Sequence, residues 1–447
     1  MAGDSLRRTG TTSRRAVLTA GTAGTAAALT AGLAGCETAG TADAADSAAD
    51  EARTLSVGGR RPKGKDTVDV VADFGARGDG RTDDSRAFVR AYRHAVDRVW
   101  NGTGRTVVDI PAGVYLIREP DALIGAAGGR PKANGLRFRG AGKRMTQLLF
   151  APRRAADSYL CRNEDAWANI VFEHLGFRSG TPGASFFYSY STGQAQDYRF
   201  TDCEWLGEWT YGLALDGSNT NSEMRWEACR VGGAWRRAFL YSGLSQRSRD
   251  PGQQDQFLNY WFNDMKVEYE WGNFLEFPYG GSVTCRGGSY IVTGRRPERT
   301  GGPGESGESG EYGRTSTFFR FPRADHHGSV QRFHAEDIRF EVRGPDTLVI
   351  DCAWESGTVH FNDCDDTAHA FKDFAPGSRP HRYRPTGPGP LVRYDSCQLS
   401  GKHTYRPAGD GGGPAARYDM CLLANHGQED FAEGATERIR YVDCRGR

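Results

Sequence analysis

Val71–Tyr92 reads V-A-D-F-G-A-R-G-D-G-R-T-D-D-S-R-A-F-V-R-A-Y, and Thr106–Ile117 follows as T-V-V-D-I-P-A-G-V-Y-L-I. Together, from Val70 to Ile117, they spell a short strand, a Gly/Asp turn, a helix and two more strand pieces parted by a Pro-Ala-Gly turn. Thr82, Asp83 and Asp84 stand where helix caps and first-turn acids belong. Ala87, Phe88, Ala91, Tyr92, Ala95, Val96 and Val99 then recur at i, i+3 and i+4. Such a stripe must be buried, and the flanking strands are there to receive it.

Downstream of Leu136 no second long amphipathic helix is legible. Short units of the form aromatic-x-x-small apolar recur instead: Phe172 to Leu175, Phe200 to Cys203, Trp226 to Cys229, Phe262 to Met265, Phe361 to Cys364, Tyr394 to Cys397, Tyr418 to Cys421 and Tyr441 to Cys444. Several stand about 23 to 28 residues apart, the period of one coil of a solenoid. Ile338 fits the same column when its unit is read D-I-R-F. Three segments align without gaps, starting at Arg199, Arg225 and Trp261, and give a second column of Trp209, Trp235 and Trp271. Stacked coils bring equivalent positions within about 4.8 Å, so like side chains form ladders.

The Val70–Ile117 stretch resembles the opening of the pectate-lyase superfamily, shared with polygalacturonase-like and tailspike-like proteins. The resemblance implies an all-β, single-stranded right-handed parallel β-helix whose first coil is capped by the N-terminal α-helix, and it implies carbohydrate chemistry without naming a reaction. It carries over no catalytic residue. Asp325-His326-His327-Gly328 lacks the first Gly of the Gly-His-Gly segment of polygalacturonase-like enzymes, and their Arg-Ile-Lys and Asn-Thr-Asp segments have no counterpart. Arg320-Phe321-Pro322-Arg323 lacks the final Arg of the pectate-lyase R-x-P-x-x-R pattern.

The N-terminus reads as an address. Ser13-Arg14-Arg15-Ala16-Val17-Leu18 resembles a twin-arginine export signal, and Leu33-Ala34-Gly35-Cys36 a bacterial lipobox. Residues 1–36 are therefore expected to be a lipoprotein signal with Cys36 as the lipidation site. Residues 37–65, poor in large apolar side chains, read as a tether, and 66–447 as one repeat domain. The expected location is the outer side of the bacterial cytoplasmic membrane, touched only through the lipid, or outside the cell. A formal net charge of +1 gives no global argument for a nucleic-acid partner, and none is expected.

Nine cysteines remain beside Cys36 and cannot all pair internally. Without C-x-x-C or clustered His they read as small apolar fillers of the inner ladder. Three excursions, 294–314, 377–390 and 402–417, read as loops walling a groove, the last two mixing Arg, His and Tyr.

If Cys203 points inward, its neighbours point outward. The preceding position carries Asp202, Ala228 and Asp264, and the following one Glu204, Arg230 and Lys266. These five charged residues are the candidate catalytic set. Asp202 and Asp264 would stand about 9.6 Å apart with Ala228 leaving a gap, at the edge of the spacing of inverting glycosidases. A lyase would instead use Lys266, Arg230 or Arg339 as base, with carboxylates binding substrate directly or through a hard cation such as Ca²⁺. Trp205, Tyr211, Trp261 and Tyr269 are candidate sugar platforms, and Arg339 a substrate contact. Each charge also has a plainer reading as a cross-strand ion pair. The expected function is cleavage of an extracellular, acidic polysaccharide by β-elimination or inverting hydrolysis, with a silent glycan-binding or scaffold β-helix as the alternative.

Overall fold

The computed structural model describes residues 66–98, 106–125, 135–164, 169–191, 197–217, 221–244, 258–278, 280–294, 315–322, 331–342, 347–366, 381–386, 390–405, 415–423, 432–434 and 436–446. The export signal, Cys36, the tether, His326, His327 and most of 294–314 lie outside the described residues. The other two expected loops need correction in part: His381–Pro385 and Lys402–Thr404 are strands of the ten-stranded sheet, and Tyr383, His403 and Tyr405 are buried in the core rather than walling a groove.

The chain is a right-handed parallel β-helix. One coil shows the pattern: a strand at Tyr198–Thr201, a one-residue bend at Asp202, a strand at Glu204–Leu206, and a long strand at Glu208–Gly217. Equivalent strands of successive coils pair in parallel register, Phe200 with Phe172 on one side and Trp226 on the other. The first strands of the coils and most of the second contribute to a 20-stranded sheet and the long strands to a ten-stranded one, while Gln398–Leu399, Leu422–Leu423 and Arg445–Gly446 form a separate three-stranded sheet.

Inward positions stack as ladders. Phe138, Phe172, Phe200, Trp226 and Phe262 lie ring over ring, with centroids 5.2, 5.0, 5.3 and 4.4 Å apart in turn. Cys285 and Ala335 interrupt the column, which resumes with Phe361, Tyr394, Tyr418 and Tyr441. Aromatic stacking of this kind adds roughly 0.5–1.5 kcal/mol per pair beyond area burial.

The bend explains the second inner column. His174, Asp202, Ala228, Asp264, Asp337, Asp363, Ser396, Met420 and Asp443 all have φ between 49° and 57°, and Gly287 occupies the same position at 65°. A left-handed residue turns the strand sharply, and the residue after it points inward again. That inward residue is Cys203, Cys229, Cys397, Cys421 or Cys444, whose thiols donate to the carbonyls of Phe172, Phe200, Phe361, Tyr394 and Tyr418 at 3.3–3.5 Å. Cysteine at this position is a small apolar filler that also serves a carbonyl of the preceding coil. All nine cysteines among the described residues are free thiols.

Helix α1 (Ser85–Arg98) buries Ala87, Phe88, Ala91, Tyr92, Ala95 and Val96 against the first coils, with Phe88 edge-on to Tyr115 at 5.5 Å. Asp83 accepts from the Ser85 backbone N–H at 3.1 Å, as a cap should. Asp84 turns back instead and accepts from the N–H groups of Arg77 and Gly78, fixing the Gly/Asp turn.

Met420 is 70% exposed at a left-handed position, where a side chain costs about 1–2 kcal/mol. Met420→Gly removes that cost against a loss of about 0.5–1 kcal/mol in chain entropy. The expected result is a denaturation midpoint unchanged or slightly raised, whereas Met420→Val lowers it; urea titration of the three proteins checks this.

Candidate functional site

The five candidate catalytic residues divide into three settings. Asp202 is engaged: Lys143 Nζ lies 2.6 Å from Oδ1 and His174 Nδ1 3.0 Å from Oδ2. Burial pushes the Asp202 carboxyl up, but Lys143 and His174 more than reverse this and hold it below the usual carboxylate range.

Glu204, Arg230 and Lys266 occupy in-register positions beyond the bend. Arg230 contacts Glu204 at 3.2 Å and Glu268 at 3.5 Å, and Lys266 contacts Glu268 at 3.8 Å. Glu204 is only 2% exposed. This is an ion-pair ladder along adjacent strands, the plainer reading of these residues.

Asp264 faces a groove of about 840 Å³, which it lines together with Glu227, Ala228, Asn263, Arg286, Gly287, Glu336 and Asp337. That volume is within the usual range for small-ligand sites of about 300–1,000 Å³. The groove lies on the outer face of the first strands and their bends. One row runs Glu227, Asn263, Arg286, Glu336 in register, and the bend row beside it runs Ala228, Asp264, Gly287, Asp337. Gly287 opens the middle: a Cβ there would lie 2.6 Å from Asp264 Oδ1. The spacing expected of Asp202 and Asp264 across Ala228 is thus repeated one step on, by Asp264 and the Glu336–Asp337 pair across Gly287. Two rungs correspond to about 9.6 Å along the stack.

Arg286 projects from the floor and meets Glu336 at 3.0 Å. Four carboxylates and one guanidinium line the groove, so its charge is net negative. Among the described residues no three His, Cys, Asp or Glu side chains approach closely enough to hold a metal ion, and the expected Ca²⁺ finds no ready-made cage.

The aromatic expectations need correction. Trp205 and Tyr269 are buried in the core and cannot stack on a sugar, Trp205 packing edge-on against Phe239 at 5.0 Å. Trp205 is two residues after Cys203 and Tyr269 four after Met265, so each shares the inward parity. Trp209, Trp235 and Trp271 are likewise packing. Tyr211 stands on the ten-stranded sheet, 5.6 Å from Tyr241 and away from the groove residues. Trp261 is half-buried on the outer face, two positions before Asn263, with Arg225 5.0 Å over its ring. Arg339 is exposed beyond the bend and paired with Glu341 at 2.8 Å.

Sequence reasoning missed Arg286, Gly287 and Glu336. The coil holding V-T-C-R-G-G has no aromatic-x-x-apolar unit, because Cys285 takes the aromatic position and Gly288 the Cys203 position. It missed also the histidines beyond them. His334 and His360 sit four residues before Ile338 and Cys364, the same offset that carries Arg199, Arg225 and Trp261, and that common offset was the available signal. Glu276 is fully buried on the ten-stranded sheet, held by Arg237 at 2.9 Å, Arg320 at 3.3 Å and Asn273 at 3.0 Å in a closed ion cluster.

No protein-family model matches the chain, and no curated protein matches it. Solved structures similar to it include the A-module of a mannuronan C-5 epimerase of Azotobacter vinelandii, 12% identical, covering 85% of this chain and 99% of that one, TM-score 0.37. The Agl-KA catalytic domain is 12% identical over 87% of this chain and 70% of its own, TM-score 0.42. PfbA, a surface adhesin of Streptococcus pneumoniae, is 10% identical over 85% and 90%, TM-score 0.37. At such identities no residue role passes from them to this chain.

The Asp202 arrangement is open to test by pH. A carboxyl depressed in the fold contributes stability above its unfolded pKa of about 3.9, and that contribution is lost as pH falls through the lower folded value. Asp202→Asn is expected to lower the thermal midpoint at neutral pH and to flatten its fall below about pH 4; parallel curves for both proteins would contradict the pairing.

Proposed function

We propose that this chain is a polysaccharide hydrolase that works by inversion in the groove around Gly287. The observation that carries the reading is the pair of carboxylate positions, Asp264 on the strand before Arg286–Gly287 and Glu336 on the strand after it, two rungs apart on the wall of one groove. Inverting hydrolysis needs two carboxyl groups about 6.5–9.5 Å apart so that a water fits beside the sugar. Glu336 carries its charge opposite Arg286 and suits the base that activates water. Asp264, entering the reaction in its protonated form, then gives that proton to the departing oxygen and regains one from solvent after release. Trp261, half-buried beside the groove, offers a ring face for a neighbouring sugar.

The charge of the groove bears on the substrate. A uronate polymer would bring further carboxylates against four already there, with a single guanidinium that is engaged with Glu336. A neutral polysaccharide is therefore the substrate proposed, in place of the acidic one expected from sequence. Elimination is disfavoured on the same ground: Lys266 and Arg230 belong to the ion-pair ladder with Glu204 and Glu268 rather than to the groove. That closed ladder also favours the second reading, a silent glycan-binding β-helix, since most of the outer charges have structural partners.

The reading includes export and anchoring through Cys36, supported by the twin-arginine-like segment and Leu33-Ala34-Gly35-Cys36. Expressed in a bacterial host, the wild type should fractionate with membranes and incorporate labelled fatty acid, and Cys36→Ala should do neither.

Turnover on a panel of neutral and uronate polymers, followed by new reducing ends and by absorbance of unsaturated ends, tests the chemistry. Reducing ends without the absorbance are expected, from neutral polymers. Asp264→Asn and Glu336→Gln should each lower kcat by about 10²–10⁴ with little change in the unfolding midpoint. Gly287→Ala should lower kcat likewise by displacing the Asp264 carboxylate, and should also lower the unfolding midpoint, because it puts a side chain at a left-handed position. Retained binding with no release of ends from any polymer would favour the silent module.

A further inference from the structure

Glu336 is the first member of a connected row of titratable side chains that the proposed hydrolysis leaves unused. His334 Nε2 lies 3.5 Å from Glu336 Oε2, His334 Nδ1 lies 3.2 Å from His360 Nδ1, and His360 Nε2 lies 2.6 Å from Asp395 Oδ2. The four residues come from three adjacent strands, Gln331–Glu336, Thr358–Asn362 and Leu391–Asp395, whose register stacks His334 on His360 and Glu336 above Asn362 and Asp395. We propose that His334 and His360 are the proton outlet of Glu336, carrying the proton taken from water away from the groove to an imidazolium held by Asp395. This inference rests on the base role of Glu336.

The hydrogen-bond roles constrain the row. With His360 Nε2–H donating to Asp395, one hydrogen is available between the two facing Nδ1 atoms. If His334 holds it, His334 Nε2 is bare and can accept a proton from a newly protonated Glu336. That proton moves to His334 Nε2 as the Nδ1 hydrogen passes to His360. Glu336 is then a carboxylate again, His334 is neutral in its other tautomer, and His360 is an imidazolium against Asp395. One proton enters at Glu336 and one positive charge ends at His360, so the transfer balances and His334 is never doubly protonated.

The surroundings suit that division. Arg286 lies against Glu336 at 3.0 Å, and Arg332 extends toward Thr284 at 3.2 Å on the strand preceding His334. On the far side Asp395 also accepts from Arg393 at 2.8 Å, and Arg393 reaches Asp419 at 3.4 Å, which pairs with Arg417 at 2.7 Å. Burial, and then the facing His360, push His334 below the ordinary imidazole value despite Glu336, which keeps it the neutral middle member. Asp395 is mostly buried, while the His360 side chain is 31% exposed and gives the proton a way to solvent. His334 and His360 do not touch the groove and act on the reaction through Glu336, as positioning residues.

The test combines ¹⁵N imidazole NMR of the intact domain with turnover. The expected spectra show His360 gaining its proton in one step that also switches the tautomer of His334, and Asp395→Asn moves that step to lower pH. His360→Gln should lower kcat roughly tenfold or more with KM unchanged and shift the acid limb of the pH profile, and His360→Asn, smaller at the same place, should behave alike. Folding of each variant is followed by its unfolding midpoint. Rings that titrate independently, or turnover and pH profile indifferent to both His360 substitutions, would overturn the outlet alone. A wild type that cleaves no polymer would instead remove the base role of Glu336 and the outlet with it, whatever the rings do.

Discussion

Everything in this chain depends on one backbone residue per coil held in the left-handed region. At Asp202, Ala228, Asp264 and their equivalents a single positive φ bends the strand, while the N–H of the bend residue still donates to the next coil, as from Asp202 to the Glu227 carbonyl at 3.0 Å. Two residues later the direction reverses, and the Glu204 N–H donates to Leu175 O of the preceding coil at 2.9 Å. Hydrogen bonding thus continues through the corner, the intervening Cys203 N–H reaching Cys229 Sγ at 3.4 Å. Because the bend occupies the same place in the coils from His174 to Asp443, each position before and after it stacks on its equivalents. Asp is the commonest choice at the bend, which suits a short polar side chain that tolerates this conformation. The same requirement lines the corner with outward carboxylates, so the device that closes the coil also furnishes acids to the groove.

That coupling decides what could be read in advance. The aromatic and cysteine columns are long, regular and apolar, and both were legible because packing demands the same residue type rung after rung. The helix of Ser85–Arg98 was legible from its stripe. The inward parity of Trp205 and Tyr269 was also present in the sequence, and treating them as surface residues overlooked it. The coil of Cys285 was not legible as a repeat, since its aromatic position holds a thiol and its cysteine position holds Gly288. Functional sites are where local pattern is expected to break, and here the break coincides with Arg286 and Gly287, the residues that open the groove.

The outer face shows how similar residues take different duties according to neighbours. Asp202 and Asp264 occupy equivalent bends, yet Lys143 and His174 close over the first while the second faces Gly287. Glu204, Arg230 and Lys266 satisfy one another along adjacent strands, and Glu276 is enclosed by two arginines on the other sheet. Between Glu227 and Asp337 the wall leaves carboxylates around sugar-sized space. Next to it, the offset that carries arginines at Arg199, Arg225, Arg393 and Arg417 carries two histidines instead, which join Glu336 to Asp395 across three adjacent strands.

The claim on which all of this stands is the register itself, which brings residues distant in sequence into one wall. Pulsed spin-label distances from a fixed label at Arg417 to labels placed one at a time at Arg199, Arg225, Trp261 and Thr284 measure it directly, since these positions share one outward column. The account predicts distances that shorten in even steps of about 4.8 Å, the spacing of adjacent strands. Uneven steps, or distances that do not shorten in that order, would contradict it.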